Sequence, residues 1–342
     1  MNGANEVFGR RAAIARALRC VAGAAAGALL LVAGDASALA PKPDPLPQPV
    51  TITIGAGKAA HLSPIGEIAG RLKELNVELK VVDFIRYADA RTAIATGSLD
   101  MATVGPADLP ILLSQNISNI VGLMGAGVSP KFVVTRNGVE IKKWEDLKGK
   151  KIGVAPASAV WFQFAAMLKE VGVPYNSFTE VKIQGAAPNA VAALKRGEVD
   201  AIVTWEPFES QPVAEGFGYW PDLDYSKSKA VGAELGLIVA TKEVLASKRE
   251  AVQRVIWAYL ETVDRLNASK DDFAKAISKY QGIDEVTAKR MTANITLGNF
   301  LTLEQMQLQA KAFHSFGVFQ KDVSAELAGV YDESLYKAAA GK

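Results

Sequence analysis

AIATGSLDMATV, residues 93–104, returns in the same pattern as ALKRGEVDAIVT at residues 193–204. Each segment has an Ala, a Gly four positions later and an Asp three positions after that, followed by an apolar run. A Gly at this point suits the left-handed conformation that ends many helices, where a Cβ would clash. The pattern therefore predicts a helix, a glycine stop and a buried strand, repeated one hundred residues apart.

Other predicted elements recur at a similar interval. The β-branched run Val50–Ile54 predicts a strand that enters a glycine-containing loop, and Lys151–Val154 predicts its counterpart. Further strands are predicted at 77–84, 99–104, 180–183 and 201–204, and helices at 63–75, 158–169 and 189–196. Alternating strands and helices predict an α/β fold, here two similar lobes, each with a mainly parallel sheet flanked by helices. A generic likeness between αβ units is the alternative explanation of the repeat.

The domain boundaries follow from a change of pattern beyond Glu234. A strand is predicted at Leu235–Ala240, and a long amphipathic helix at Lys248–Leu266. Two segments are placed to carry the chain between the lobes, Phe132–Val134 outward and Leu237–Ala240 back. We therefore expect a two-segment hinge, a first lobe of residues 50–135 and 232–342, and a second lobe of residues 136–231.

The first 38 residues have the order of a secretory signal peptide. Arginines at positions 10, 11, 16 and 19 precede the apolar run Val21–Ala33 and a small-residue segment ending at Ala38. Cleavage is expected after Ala38, because Pro41 disfavours a cut after Ala40. We therefore expect a periplasmic protein whose mature chain begins with a Pro-rich leader, residues 39–49.

Charge and cysteine content exclude several classes of protein. Loss of residues 1–38 removes four Arg, Glu6 and Asp35, so the formal charge of +2 becomes zero and favours neither nucleic acid nor a membrane surface as a partner. The only cysteine, Cys20, leaves with the same segment. With two histidines and no mature cysteine, we expect no cofactor, no metal site and no thiol mechanism. No catalytic motif was found, so we expect a protein that is not an enzyme.

Polar residues follow several of the predicted strands, where open α/β sheets present their ligand-facing loops. Helix starts in these loops favour anions. The candidate ligand-binding residues are Lys58, His61, Arg86, Gly105, Asp108, Ser158, Val160, Trp161, Gln184, Trp205 and Glu206. For His61, Arg86 and the two tryptophans, surface or core packing is the alternative, and for Asp108 and Ser158 it is helix capping. Glu206 is the sharpest candidate, since packing explains poorly a carboxylate that follows a buried strand.

Three phrases of the sequence carry a resemblance to a known family. They are Trp144–Val154 (WEDLKGKKIGV), Gly197–Ala201 (GEVDA) and Trp205–Phe208 (WEPF). In this combination the mature chain resembles the nitrate/sulfonate/taurine substrate-binding proteins of ABC importers, which have the type II periplasmic binding protein fold. Where members of that family often have a Gly-Ser pair, this chain has PASA at 156–159, followed by the bulky Val160 and Trp161.

The resemblance implies a monomer that closes two lobes over a small organic anion or zwitterion and delivers it to an ABC permease with its ATPase. It also implies that His61, the 105–108 loop and the 158–161 helix start contact the ligand, and that Glu206 meets an ammonium group. Binding of a pyrimidine or thiamine precursor or of an aromatic acid, or a role as the ligand-binding subunit of a sensor system, is the alternative function. A pyrimidine-precursor synthase is the alternative from the enzyme class.

Overall fold

In the part of the chain that the structure describes, the strands form two sheets of five. The computed structural model describes residues 39–156, 158–183 and 187–342, and the predicted signal peptide and Gln184 lie outside these ranges. The strands are β1 (Val50–Gly57), β2 (Val77–Phe84), β3 (Met101–Val104), β4 (Ile120–Gly125), β5 (Val134–Arg136), β6 (Lys151–Val154), β7 (Thr179–Lys182), β8 (Ala201–Ile202), β9 (Gly218–Tyr219) and β10 (Leu237–Thr241).

The two sheets have the same topology. The strand order is β2-β1-β3-β10-β4 in the first sheet and β7-β6-β8-β5-β9 in the second. In each sheet the fourth strand of this order, β10 or β5, runs antiparallel to its neighbours, whereas the first three strands are parallel. The predicted α/β fold with two mainly parallel sheets is confirmed.

Helices flank both sheets. They are α1 (Ala69–Glu74), α2 (Tyr87–Ala95), α3 (Asp108–Ser114), α4 (Ala159–Glu170), α5 (Pro188–Arg196), α6 (Gln211–Ala214), α7 (Lys242–Ser247), α8 (Arg249–Ala268), α9 (Lys270–Gln281), α10 (Glu285–Met291), α11 (Leu303–Ser315) and α12 (Ser334–Ala339). Short 3-10 helices lie at Ala60–Gly66, Trp144–Leu147, Tyr175–Ser177, Tyr225–Lys227 and Ala325–Gly329. In the ranges that the structure describes, no helix is long and apolar enough to cross a membrane.

The helix predicted from Ser63 to Leu75 is divided in two. A 3-10 helix ends at Gly66, and α1 begins three residues later. The Tyr280 ring packs so closely on Gly66 that an added Cβ would lie 2.8 Å from it. The break thus lies where a distant helix packs against the chain, a contact that the local pattern does not contain.

The repeated aspartates make equivalent backbone contacts in the two sheets. In the first sheet the Asp100 carboxylate accepts the Thr53 N–H at 2.8 Å, and the Asp100 N–H donates to the Thr53 carbonyl at 3.0 Å. In the second, the Asp200 carboxylate accepts the Lys151 N–H at 2.9 Å, and the Asp200 N–H donates to the Lys151 carbonyl at 2.8 Å. Each Asp thus fixes the register of its strand against the neighbouring parallel strand.

The glycines and cations of the repeat complete this arrangement. Gly97 and Gly197 have φ angles of 76° and 74°, the left-handed conformation predicted from the sequence. The Lys248 ammonium lies 3.1 Å from Asp100, and the Arg136 guanidinium lies 3.5 Å from Asp200. Because both cations come from outside the repeated segments, the repeat alone does not predict them.

Replacement of Asp100 should weaken the first sheet. We expect Asp100→Ala to lower the free energy of unfolding by about 2 kcal/mol, because the Thr53 N–H would lose its acceptor and the Lys248 ammonium would keep only the Thr51 carbonyl. Urea denaturation monitored by circular dichroism measures this change. The exposed Asp222 provides a control, and equal midpoints for Asp100→Ala and Asp222→Ala would contradict the proposed role.

Two antiparallel segments, residues 126–133 and 220–236, connect the sheets. The Ala126 N–H donates to the Gly236 carbonyl, and the Leu235 N–H donates to the Gly127 carbonyl, both at 2.9 Å. Further along, the Tyr225 N–H donates to the Lys131 carbonyl at 2.8 Å. The two segments thus support each other by backbone hydrogen bonds between the sheets.

Helix α4 packs against the cores of both sheets. Phe162 and Ala166 lie in a cluster with residues of β3, α3 and α11, and the rings of Phe162 and Phe313 are 4.7 Å apart. Phe164 lies in the core of the second sheet. The start of α4, where three candidate ligand residues lie, is therefore held from two sides.

Candidate functional site

Most of the candidate residues follow the carboxyl ends of β1, β3, β6 and β8. His61 follows β1, Gly105 follows β3, Ser158 follows β6, and Glu206 follows β8. The inner two parallel strands of each sheet thus bring their following loops to one edge of that sheet. The contacts of each loop decide which side chains remain able to bind a ligand.

His61 is a buried and neutral histidine. Its side chain is 7% exposed, and its Nε2 lies 2.6 Å from the Tyr87 hydroxyl. That hydroxyl also lies 3.2 Å from the Leu235 carbonyl, so when it donates to Leu235 the His61 Nε2–H must donate to Tyr87. Burial, together with the positive charge of Lys131, lowers the pKa of His61 to about 3. In that arrangement Nδ1 is unprotonated, so His61 at pH 7 has neither a second N–H donor nor a positive charge to offer a ligand.

Gly105 and Asp108 form a closed loop at the start of α3. The Gly105 N–H donates to Asp108 Oδ2 at 2.7 Å, and Arg91 donates to Asp108 Oδ1. Burial raises the pKa of Asp108, and the Arg91 charge opposes that rise. An added Cβ on Gly105 would lie 3.2 Å from Asp108 Oδ2 and 3.3 Å from the Tyr87 ring. Asp108 thus organises its own loop, and the helix capping considered for it does not occur.

Lys58 and Arg86 lie at the surface and already have carboxylate partners. The Lys58 ammonium is 3.0 Å from Asp83 and lies 4.5 Å from the centre of the Tyr280 ring. The Arg86 guanidinium makes two hydrogen bonds to Asp89, at 2.7 and 3.0 Å, and its side chain is 72% exposed. A ligand would have to compete with these partners for either cation.

The start of α4 combines a cap with an aromatic wall. Ser158 Oγ accepts the Trp161 N–H at 3.3 Å and donates to the Ala155 carbonyl at 2.7 Å, so Ser158 caps the helix as predicted. Val160 is buried in the core of the second sheet. The Trp161 indole N–H donates to the Tyr175 hydroxyl at 2.6 Å. Both bulky side chains thus have structural partners.

The Trp205–Glu206 pair lies beyond β8. Trp205 is half-buried and, with Ala155, Ile183 and Val203, lines a small apolar cavity. Glu206 is 7% exposed, and its peptide bond to Pro207 is cis.

Within the described residues, three hydrogen bonds hold the Glu206 carboxylate. Its Oε1 accepts from the Ser210 hydroxyl at 2.6 Å and from the Asn294 amide at 2.9 Å, and its Oε2 accepts the Ser210 N–H at 3.1 Å. Asn294 belongs to the chain beyond the return to the first sheet, between α10 and α11. Glu206 therefore joins the end of β8 to a distant part of the chain.

A group of buried charges beside Glu206 was missed by the sequence analysis. Lys131 and Glu209 have side chains only 2% and 1% exposed, and Asp224 accepts the Lys131 N–H at 3.1 Å. Burial raises the pKa of Glu209, the Lys131 charge opposes that rise, and the Glu206 charge adds to it. One signal was available, because Glu209 follows Glu206 by one helical turn. Lys131 and Asn294 have no comparable local signal.

In residues 39–156, 158–183 and 187–342, no group of three or more His, Cys, Asp or Glu side chains could hold a metal ion.

Comparisons with known proteins agree with this architecture. A protein of Brucella abortus that is named as a binding protein is 26% identical over 223 residues, which cover 63% of this chain and 64% of that protein. The match thus spans less than two thirds of that relative's length. The taurine-binding periplasmic protein of Escherichia coli is 32% identical over 117 residues, covering 34% of this chain and 35% of that protein.

Among solved structures, the alkanesulfonate-binding protein SsuA from Xanthomonas axonopodis pv. citri, bound to MOPS, has the same fold. It superposes with a TM-score of 0.68 at 18% identity, covering 84% of this chain and 99% of that one. The model of the NMT1-like family matches residues 47–281, more than half of the sequence. The chain therefore belongs to the NMT1-like family.

Proposed function

We propose that this protein is the periplasmic solute-binding component of an ABC importer, and that it binds a small organic anion or zwitterion of the sulfonate or taurine type. The ligand would lie in a cleft between two lobes, residues 50–135 with 232–342 and residues 136–231. The mature protein would act as a monomer without enzymatic activity, after cleavage of a signal peptide at residues 1–38. It would deliver its ligand to a permease with its ATPase.

The contacts of Glu206 carry this proposal. An ionised carboxylate has about four acceptor positions, and three hydrogen bonds to Glu206 come from the described residues. The remaining position, on Oε2, suits an ammonium group, which forms strong charge-assisted hydrogen bonds. The amide of Asn294 also ties Glu206 to the polypeptide that returns to the first sheet, so a ligand bound there would contact groups from two regions of the chain.

Closure of the lobes follows from the same contacts. A ligand favours a closed form only through interactions that the open form lacks. Contacts with Glu206 from the second lobe and with the His61 and Gly105 loops from the first would supply that difference. A micromolar ligand would provide about 8 kcal/mol of binding free energy in total.

Isothermal titration calorimetry of protein lacking residues 1–38 tests the proposed function. Taurine, which has an ammonium group, and ethanesulfonate, which lacks one, should both bind the wild type. Glu206→Gln keeps the size of the side chain and removes its charge. We expect it to weaken taurine binding about 30-fold and to change ethanesulfonate binding less than about threefold.

Glu198→Gln is the matched control, because Glu198 is exposed and paired with Arg196. It should bind both ligands as the wild type does. Absence of binding to taurine, ethanesulfonate and related alkanesulfonates in the wild type would overturn the proposed function. An equal loss for both ligands in Glu206→Gln would overturn the ammonium contact alone.

A further inference from the structure

The pair Lys131 and Glu209 is buried but poorly bonded. The Lys131 ammonium lies 3.9 Å from Glu209 Oε2, beyond hydrogen-bonding distance, and 3.4 Å from the Pro130 carbonyl. Within the described ranges, Glu209 Oε2 has no hydrogen-bond partner, although Oε1 accepts the Phe132 N–H. Buried polar atoms are normally hydrogen-bonded, and a buried charge without such bonds is costly. Packing alone therefore does not explain this pair.

Lys131 interacts with residues that follow strands of both sheets. Lys131 lies in the 126–133 segment between the sheets, and its charge acts on His61, at the end of β1, where it lowers the pKa of the imidazole. Glu209 lies three residues after Glu206, in the turns that follow β8. The Lys131 charge thus acts on the histidine of the first sheet, and its ammonium lies beside the acidic loop of the second.

The candidate residues His61, Arg86 and Lys58 offer an acidic ligand no unpaired positive charge. His61 is neutral at pH 7, and Arg86 and Lys58 are exposed and paired with Asp89 and Asp83. An ammonium has three N–H donors, and only the contact with the Pro130 carbonyl is within hydrogen-bonding distance in the part of the chain that the structure describes. Lys131 is therefore the buried cation with donors left for an incoming acidic oxygen.

We propose that Lys131 is the specificity-determining residue that binds the acidic group, sulfonate or carboxylate, of the ligand, and that Glu209 positions the Lys131 ammonium. This inference rests on the proposed function and adds a second charge contact to that of Glu206. A zwitterion would place its ammonium at Glu206 and its acid at Lys131. The competing explanation is a structural one, in which the pair only fixes the 126–133 segment.

A pair of ligands that differ in charge but hardly in shape separates the two explanations. Ethanesulfonate is an anion, and ethanesulfonamide is its neutral counterpart. Calorimetric titrations of both ligands with protein lacking residues 1–38 give the preference of each variant for the charged form. In Lys131→Met the affinity for ethanesulfonate should fall about 30-fold, while that for ethanesulfonamide should change less than threefold.

The double variant Lys131→Met/Glu209→Gln allows the test to be made even if Lys131→Met alone does not fold. Removal of Lys131 alone leaves the Glu209 carboxylate buried without its cation, whereas the double variant removes both charges. It should show the same loss of preference for the sulfonate. Lys142→Met is the control, because Lys142 is 78% exposed and pairs with Glu140 at the surface.

The outcomes are distinct. An unchanged preference for ethanesulfonate over ethanesulfonamide in both the single and the double variant would overturn the role of Lys131, while binding by the wild type would leave the proposed function intact. An equal loss for both ligands would support the structural explanation and also overturn the inference. A wild type that binds no sulfonate would overturn the proposed function and the inference together.

Discussion

His61→Gln is expected to make the protein resistant to acid. Burial lowers the pKa of His61 from 6.5 to about 3, with a smaller contribution from Lys131. The unfolded chain therefore takes up a proton below pH 6.5 that the folded protein does not, so stability falls as the pH falls from 6.5 to about 3. At pH 4 this loss is on the order of 3 kcal/mol, and the glutamine variant should not show it.

Urea denaturation of the wild type and His61→Gln at pH 7.5 and pH 4 measures the effect. Acidic groups that are paired in the folded protein reduce stability in both proteins, so the difference between the two pH dependences isolates His61. His314→Gln is the control, because His314 is the other histidine and lies half-buried against the Phe319 ring. Parallel pH dependences for the wild type and His61→Gln would contradict the burial of a neutral imidazole.

Glu234→Gln should stabilise the protein at alkaline pH. Glu234 lies in the 220–236 segment, is 8% exposed and accepts a hydrogen bond from the Gln309 amide at 3.2 Å. Burial raises its pKa from 4.5 to about 7. Above pH 4.5 the unfolded chain releases a proton that the folded protein retains, so stability falls as the pH rises towards 7. The full cost, on the order of 3 kcal/mol, is present above pH 7.

The measurement is the midpoint of urea unfolding at pH 4 and pH 8.5. The free energy of unfolding of the glutamine variant should equal that of the wild type at pH 4. At pH 8.5 it should be greater by on the order of 3 kcal/mol. Glu145→Gln, at an exposed position, is the control and should follow the wild type at both values. A variant that is less stable than the wild type at pH 8.5 would mean that the ionised carboxylate stabilises the fold.

The neighbourhood of Glu234 shows how closely this segment is packed. An added Cβ on Gly232 would lie 2.5 Å from Glu234 Oε2, and Gly232 has a φ of 76°. Gln163 of α4 donates to the Gly232 carbonyl at 2.9 Å, and Gln309 of α11 donates to the Val231 carbonyl. Removal of the negative charge of Glu234 therefore affects the point at which α4 and α11 contact the 220–236 segment.

Local sequence patterns predicted the parallel part of each sheet well. The Gly97 and Gly197 stops, the strands that follow them and the serine cap of α4 depend on neighbours within a few residues. The antiparallel insertion of β10 and β5 was not predicted. It depends on pairing between residues far apart, such as Leu237 with Val104, and single-strand patterns do not specify the partner.

In the candidate site, too, features with a local sequence signal were predicted and those that depend on distant residues were not. The loops after the strands were identified because strand ends are visible in the sequence, and Glu206 lies buried in one of them. Its partner Asn294 and the buried Lys131 were missed, because a lysine or asparagine outside a motif is most often solvated. Arg86, by contrast, was chosen by charge and lies at the surface, paired with Asp89.

The strand orders also determine when each sheet can be completed as the polypeptide grows from its amino end. All five strands of the second sheet lie between residues 134 and 219, so that sheet needs no later part of the chain. In the first sheet, β10 separates β3 from β4, although more than one hundred residues of chain divide β4 from β10. Until residue 241 has been made, β4 has no strand beside it. The first sheet thus begins earlier in the chain and is completed later, and β3 and β4 each lack a neighbouring strand on the side that β10 will occupy.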